Sequence, residues 1–240
     1  MRRIVLATAI LFAAQAASSA TWTLINIQVE PGNSAKITAA ADKLMNSAVG
    51  KEFPGQLLLQ ANVANGASAA THSFVPIYES AADQEAWVAK LQASPAWAEY
   101  QAATSGVTQG VSDVLYRTVK SWGDIVDTDV VWAAHAFDVT DPAGFMAAID
   151  TLTNSETGKN FPGQAHLSAV VAGGISPGNY VLSVGYASLA EMETWTQTIQ
   201  PSADWAAYIK ATQPTGEFLG TTLSRNIKRW GPAGLEELTD

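Results

Sequence analysis

Three histidines, His72, His135 and His166, are the only imidazoles that this 240-residue chain offers for acid–base or metal chemistry. No two of them stand at the short spacing of a metal-binding pair, and the chain has no cysteine, so we predict no metal site. The sequence also has no Ser–His–Asp order at a convincing spacing, no glycine-rich phosphate loop and no close pair of carboxylates. Hydrolytic and nucleotide-dependent chemistry therefore has no support in the residue pattern.

The chain contains a tandem duplication with a period of 108 residues. The stretch 50–56 (GKEFPGQ) recurs as 158–164 (GKNFPGQ). The same shift pairs Trp87 with Trp195, Trp97 with Trp205, Tyr100 with Tyr208, Arg117 with Arg225, and Trp122 with Trp230. An internal period of this kind marks repeated structural units. We therefore predict one unit over 21–124, a linker over 125–128 and a second unit over 129–231.

His135 has the clearest chemical potential of the three histidines, because the first copy carries Ile27 at the equivalent position. Its neighbours on the same face of a predicted strand are Ala133 and Phe137, so the imidazole is expected among apolar groups. There it is either a proton acceptor for a phenol or a hydrogen-bonded core residue.

The first twenty residues have the pattern of a secretory signal peptide. Arg2 and Arg3 precede an apolar run, 4–14, that is too short to span a bilayer, and 18–20 are small residues. The chain without 1–20 has 11 basic and 22 acidic residues, and it ends in an acidic tail, 232–240. Such acidity disfavours nucleic acid and anionic membranes as partners. We therefore expect a secreted or periplasmic protein that contacts no nucleic acid and, once the signal is removed, no membrane.

Each copy shows the same order of elements: strand, helix, strand, strand, helix, strand. This order is typical of a ferredoxin-like unit, an antiparallel four-stranded sheet with two helices on one face. The other sheet face would remain uncovered. We therefore predict an α+β chain in which two ferredoxin-like βαββαβ repeats pack their sheets together into a single-chain barrel.

The repeated GK-x-FPGQ stretch is predicted to connect the first helix of each copy to the second strand. Pro54 and Gly55 stand at the second and third positions of an expected type II turn. Phe53 and Phe161 are expected to fill the core, so this stretch has a structural and not a catalytic role.

The pattern resembles the dimeric α/β-barrel superfamily, and within it the antibiotic-biosynthesis-monooxygenase-like domains. An aromatic-ended third strand, 74–80 (FVPIYES), runs into a helix with Trp87 and then into 91–97 (LQASPAW). The second copy repeats this arrangement with 186–188 (YAS), Trp195 and 202–205 (SADW). The resemblance covers both copies and implies a chain that is already a pseudo-dimer, so we expect a monomer in solution.

Relatives in this superfamily include haem-degrading enzymes and cofactor-independent oxygenases of polycyclic phenols. The haem enzymes use an Asn on the first strand with a Trp and a His on the second helix. Asn26 and Trp87 match part of that set, but neither second helix here contains a His, so a haem ligand is missing. The resemblance therefore implies no cofactor.

An oxygenase of this kind needs aromatic pocket walls and a group that stabilises an ionised phenol. The resemblance implies pockets between sheet and helices, with the arginines as anion partners and His135 or Tyr186 in proton transfer. The alternative is that the tryptophans anchor the core and that the arginines lie at a solvent edge or in an internal ion pair. The predicted ligand-binding set is Asn26, Tyr78, Trp87, Trp195, Arg117 and Arg225.

Three functions remain open from the sequence. The leading hypothesis is an exported barrel protein that binds a small apolar or aromatic molecule in its sheet–helix cavities. The second is a cofactor-independent monooxygenase acting on an aromatic or phenolic substrate. The third is a non-catalytic structural or interaction protein with filled cavities.

Overall fold

The structure is a computed structural model that describes residues 20–123, 128–173 and 178–231. The predicted signal peptide apart from Ala20, the linker apart from Thr128, and the acidic tail lie outside the described residues. Within the described residues, no helix is long and apolar enough to cross a membrane.

Both copies contain four strands and three helices. The first copy consists of β1 (Thr21–Val29), α1 (Ser34–Met45), β2 (Gln56–Ala64), β3 (His72–Tyr78), α2 (Ala81–Gln92), α3 (Pro95–Thr104) and β4 (Thr108–Trp122). The second consists of β5 (Val131–Val139), α4 (Pro142–Thr153), β6 (Ala165–Ala172), β7 (Tyr180–Tyr186), α5 (Leu189–Ile199), α6 (Ala203–Thr212) and β8 (Gly216–Trp230). The six elements predicted for each copy occur in the predicted order, and α3 and α6 are additional helices between the second predicted helix and the last strand.

The eight strands close into one antiparallel barrel in the order β1-β3-β2-β8-β5-β7-β6-β4 and back to β1. Two pairings join the copies, β2 with β8 and β4 with β6. Each strand stands four places around the ring from its counterpart in the other copy. Because an even number of antiparallel steps separates counterparts, they run in the same direction. The copies are thus related by a pseudo-twofold axis along the barrel, and equivalent inward-facing residues lie at one height on opposite walls.

The last strand of each copy is longer than the alternation of residues predicted. The alternation of residues predicts last strands over 114–122 and 222–230, whereas β4 begins at Thr108 and β8 at Gly216. The added residues continue the ladder to the first strand of the same copy, down to the pairs Val29 with Thr108 and Val139 with Gly216. Shifts in register within these ladders break the period of two, which hides the early residues from a pattern search.

Trp122 and Trp230, which the duplication preserves, tie the two copies together. The indole Nε1 of Trp122 donates to Asp150 Oδ1 on α4 at 2.8 Å, and that of Trp230 donates to Asp42 Oδ1 on α1 at 2.8 Å. In each case the strand of one copy is anchored to a helix of the other. These contacts stabilise the barrel seams that no single repeat could form.

The GK-x-FPGQ stretch connects α1 to β2 and α4 to β6, as predicted. Phe53 is buried, with its ring 4.6 Å from that of Trp87 and 5.3 Å from that of Tyr78. The expected type II turn is wrong, because Gly55 is not among the glycines with positive φ. Glycine is needed there for a different reason: a Cβ on Gly55 would overlap the carbonyl oxygen of Ile77.

Candidate functional site

A cavity of about 600 Å³ lies inside the barrel, between the two sheets. We call it the lumen; inward-facing side chains of all eight strands line it. The sequence-based hypothesis placed the ligand between sheet and helices, and the position of this cavity corrects that expectation. A much smaller cavity of about 100 Å³ lies between α1 and α3, beside Ala40 and Tyr100.

The spaces between sheet and helices are filled by aromatic and aliphatic side chains. In the first copy, Tyr78 and Trp87 are 2% and 7% exposed and both contact the ring of Phe53. In the second copy, Phe161 packs against Tyr186 at 5.8 Å and Trp195 at 5.3 Å between ring centroids. The repeated aromatic residues therefore fasten helix to sheet, which is why the open volume lies on the other face of the sheet.

Two indoles project into the lumen from opposite walls, Trp22 on β1 and Trp132 on β5. Trp22 stacks on Tyr116 with 4.2 Å between centroids, and Trp132 stacks on His166 at 6.0 Å. Trp22 Nε1 donates to Ser168 Oγ at 3.1 Å. Trp132 Nε1 is buried without a hydrogen-bond partner among the described residues. The two walls thus present aromatic surfaces with different hydrogen bonding.

A chain of buried polar groups underlies one part of the lumen. His166 Nδ1 shares a hydrogen bond of 2.8 Å with Ser121 Oγ, and Nε2 lies 3.0 Å from Gln164 Oε1. Gln164 Nε2 donates to Asp129 Oδ2 at 3.0 Å. Because this amide gives its N–H to a carboxylate, its oxygen accepts, and the imidazole carries its proton on Nε2. Ser121 then donates to Nδ1, and all four groups are held in one arrangement.

Burial governs the protonation of these groups. Desolvation lowers the pKa of His166 to about 4, so the ring is neutral at pH 7. Burial also raises the pKa of Asp129, against the hydrogen bond from Gln164 and the charge of Arg229, which lower it. The lumen is therefore lined by hydroxyl groups and by a neutral imidazole whose two nitrogens are both hydrogen-bonded, with the carboxyl group of Asp129 behind Gln164.

Of the predicted ligand-binding residues, Asn26 lines the lumen. Its side chain is already hydrogen-bonded, since Nδ2 donates to Ser112 Oγ at 3.1 Å and Oδ1 accepts from Ser73 Oγ at 2.7 Å. Arg117 and Arg225 are exposed and do not line the lumen, so the structure places them at the solvent edge that the sequence left as the alternative.

The two predicted proton-transfer residues are not brought together. In the ladder between β5 and β7, Tyr186 is paired with Val131, whereas His135 is paired with Leu182. Four residues of strand, about 13 Å, therefore separate them. His135 bonds Thr221 Oγ1 at 2.7 Å on the outer face of β5, and Tyr186 is buried, which raises its pKa to about 12. Neither residue lines the lumen.

Sequence reasoning missed His166, Ser183 and Tyr116 as lumen residues. The alternation of β1 separated Trp22 and Asn26 from the core-facing residues, but it gave no sign that the face with Trp22 encloses a cavity. His166 lies two residues after the repeated Gln164, so both side chains are on the same face of the strand. This spacing is the signal in the sequence that could have identified His166 as a neighbour of Gln164.

No protein-family model matches the sequence, and no curated protein matches it. The fold is nevertheless similar to solved structures. A candidate monooxygenase from Lactobacillus acidophilus NCFM superposes with a TM-score of 0.61 at 10% identity, over 90% of this chain and 98% of that one. A candidate monooxygenase from Fusobacterium nucleatum subsp. nucleatum ATCC 25586 superposes with a TM-score of 0.60 at 12% identity, over 91% of this chain and 97% of that one. An anthrone oxidase-like protein superposes with a TM-score of 0.54 at 13% identity, over 89% of this chain and 93% of that one.

These similarities and the closed barrel define the fold: the chain has the dimeric α/β-barrel fold of these solved structures. Here both halves of the barrel belong to one chain, a single-chain pseudo-dimer. At 10–13% identity the similarity defines the fold and not the activity.

Proposed function

We propose that this protein binds one small, largely apolar or aromatic molecule in the lumen. The cavity of about 600 Å³ carries this proposal. Its volume is within the range of about 300–1,000 Å³ of small-molecule sites, which combine apolar walls with a few polar groups. Leu24, Leu58 and Val75 supply apolar wall, whereas His166 and Ser183 supply polar groups.

The proposal includes export of the protein and a monomeric state. Residues 1–20 support export through their signal-like pattern. The two-copy barrel supports a monomer, since both sheets that close it come from one chain.

Filling the lumen is expected to weaken binding strongly. Ala134 lines the cavity on β5, so Ala134→Phe would occupy the space of the ligand. We expect 2-naphthol, used as a probe, to bind the wild-type protein at one molecule per chain. The affinity in Ala134→Phe should fall on the order of a hundredfold, the loss of a well-buried apolar contact of roughly 2–3 kcal/mol. Isothermal titration calorimetry measures both quantities.

Trp195→Phe is the matched variant, because it changes an aromatic residue of the sheet–helix core. It should leave the dissociation constant of 2-naphthol unchanged. Two results would contradict the proposal and favour a site between sheet and helices. One is a stoichiometry of two molecules per chain, and the other is a loss of binding in Trp195→Phe but not in Ala134→Phe. Circular dichroism of each variant checks that the fold is retained.

Cofactor-independent oxygenation of an aromatic substrate is a second candidate function. Two observations favour it: His166 gives the lumen a buried neutral imidazole, and the similar structures include candidate monooxygenases and an anthrone oxidase-like protein. If it is correct, the protein should accelerate oxygen uptake by anthrone, and His166→Leu should remove the acceleration while His135→Ile retains it. An oxygen electrode measures the rate.

Loss of the acceleration in His135→Ile but not in His166→Leu would favour His135, the residue predicted from the sequence. If the protein does not accelerate oxygen uptake at all, anthrone oxidation is excluded.

A further inference from the structure

The two walls of the lumen differ in polarity at one height. On the first copy, Leu58 and Val75 are direct partners in the β2–β3 ladder and both line the cavity. The equivalent residues on the opposite wall are His166 and Ser183, partners in the β6–β7 ladder. A pair of aliphatic side chains therefore faces an imidazole and a hydroxyl across the lumen.

Neighbouring positions repeat this difference. Val114 and Tyr116 on β4 are both 5% exposed and pack together in an apolar cluster. Their counterparts on β8 are Thr222 and Ser224. At these positions the first copy contributes apolar side chains and the Trp22–Tyr116 stack, and the second copy contributes hydroxyl groups.

The polarity is reversed at a neighbouring height, where Asn26 and Ser73 of the first copy face Ala136 and Val181. Those polar groups already bond each other: Ser73 Oγ donates to Asn26 Oδ1 at 2.7 Å, and Asn26 Nδ2 donates to Ser112. Because they already bond one another, they have less hydrogen-bonding capacity to offer a ligand.

Ser183 is in a different situation. Its hydroxyl group has no hydrogen-bond partner among the described residues, and the residue is half-buried in the lining of the lumen. On either side in the sheet lie Ala134 and His166, and both nitrogens of His166 are engaged by Ser121 and Gln164. A free hydroxyl between an alanine and a fully bonded imidazole can form its hydrogen bond with a bound molecule.

We propose that the lumen holds its ligand in one orientation, with a hydroxyl or carbonyl group toward Ser183 and the aromatic body against Leu58, Val75 and Tyr116. This inference rests on the proposed function and specifies its ligand: an aromatic molecule with a polar group on one edge. Divergence of the two copies, which removed the symmetry of the lumen, fixes the orientation.

Two probes of nearly equal shape test the orientation, 2-naphthol and 2-methylnaphthalene, which differ by a hydroxyl in place of a methyl group. Because the two probes also differ in the free energy of leaving water, the quantity to compare is the ratio of their dissociation constants in each protein. One net hydrogen bond of about 1 kcal/mol should make this ratio favour 2-naphthol roughly fivefold more in the wild-type protein than in Ser183→Ala, which removes the hydroxyl without adding volume. Calorimetry or competition with a lumen-bound dye gives the ratio.

The double variant Val75→Ser, Ser183→Ala moves the hydroxyl to the opposite wall at the same height. Because the aromatic body would then have to lie against His166 and Ser224, the ratio should remain near its value in Ser183→Ala. Restoration of the wild-type ratio would show that the ligand binds in either orientation, and an unchanged ratio in Ser183→Ala would show that Ser183 is not its partner. Either result overturns the inference while lumen binding stands. If neither probe binds, or if Ala134→Phe has no effect on binding, the proposed function fails first.

Discussion

Acidification from pH 6.5 to pH 4 is expected to lower the free energy of unfolding by about 3 kcal/mol through His166 alone. Burial lowers the pKa of His166 from 6.5 to about 4. Between these values the unfolded chain binds a proton that the folded chain excludes, so protons favour unfolding. The stability that neutral His166 provides is complete above pH 6.5 and is lost as the pH falls toward 4.

His166→Leu gives a matched comparison, because the first copy carries Leu58 at the equivalent position. Denaturant unfolding at several pH values should show a shallower loss of stability in the variant below pH 6.5. Absolute stabilities will also differ, since Ser121 and Gln164 lose their partner, so the comparison uses the slope with pH. Asp129 acts in the opposite direction, because a raised carboxyl pKa makes the folded state more stable as pH falls. Equal slopes in the two proteins would contradict the prediction.

Gly163→Ala is expected to destabilise the barrel by about 1–3 kcal/mol. A Cβ at Gly163 would overlap the carbonyl oxygen of Gly185, which is backbone and cannot move as a side chain would. Gly55→Ala should have a similar effect in the first copy, where the obstructing oxygen belongs to Ile77. Denaturant unfolding monitored by tryptophan fluorescence measures the loss.

Gly110→Ala is the control for this change. It makes the same substitution in β4 at a glycine with no heavy atom within 4 Å of the added Cβ and no positive φ. Its effect should stay within about 0.5 kcal/mol. If Gly110→Ala and Gly163→Ala destabilise the protein equally, the close backbone crossing is not the reason for the repeated glycine.

The residues that the two copies share have a different role from those at which they differ. The glycines and Phe53 of the GK-x-FPGQ stretch are set by close packing, and Gln164 at its end supports His166. Positions that the duplication kept thus hold the barrel together. Positions at which the copies differ, such as His166 for Leu58 and Ser183 for Val75, give the lumen its polar wall.

The sequence predicted the duplication, the order of elements and the two-sheet barrel, because these depend on local patterns. Alternation of residues identifies a strand, and spacing of apolar residues identifies a helix. For this reason the residue pattern predicts strands over 72–78 and 180–186, and these are the limits of β3 and β7 in the structure. The candidate site could not be predicted in the same way, because both faces of each strand are apolar enough to be buried.

The sequence by itself determined that Trp22 and Trp132 lie on the same face of their strands. It also determined that Trp87 and Trp195 lie on the helix that covers the opposite face of the sheet. It could not decide which side of the sheet remains open, because that depends on how rings from distant segments fill volume. Phe53, Tyr78 and Trp87 fill the outer side, whereas closure of eight strands leaves about 600 Å³ inside. Tertiary structure alone brought His166 and Ser183 opposite Leu58 and Val75, because only the closed ring places residues 108 apart at the same height.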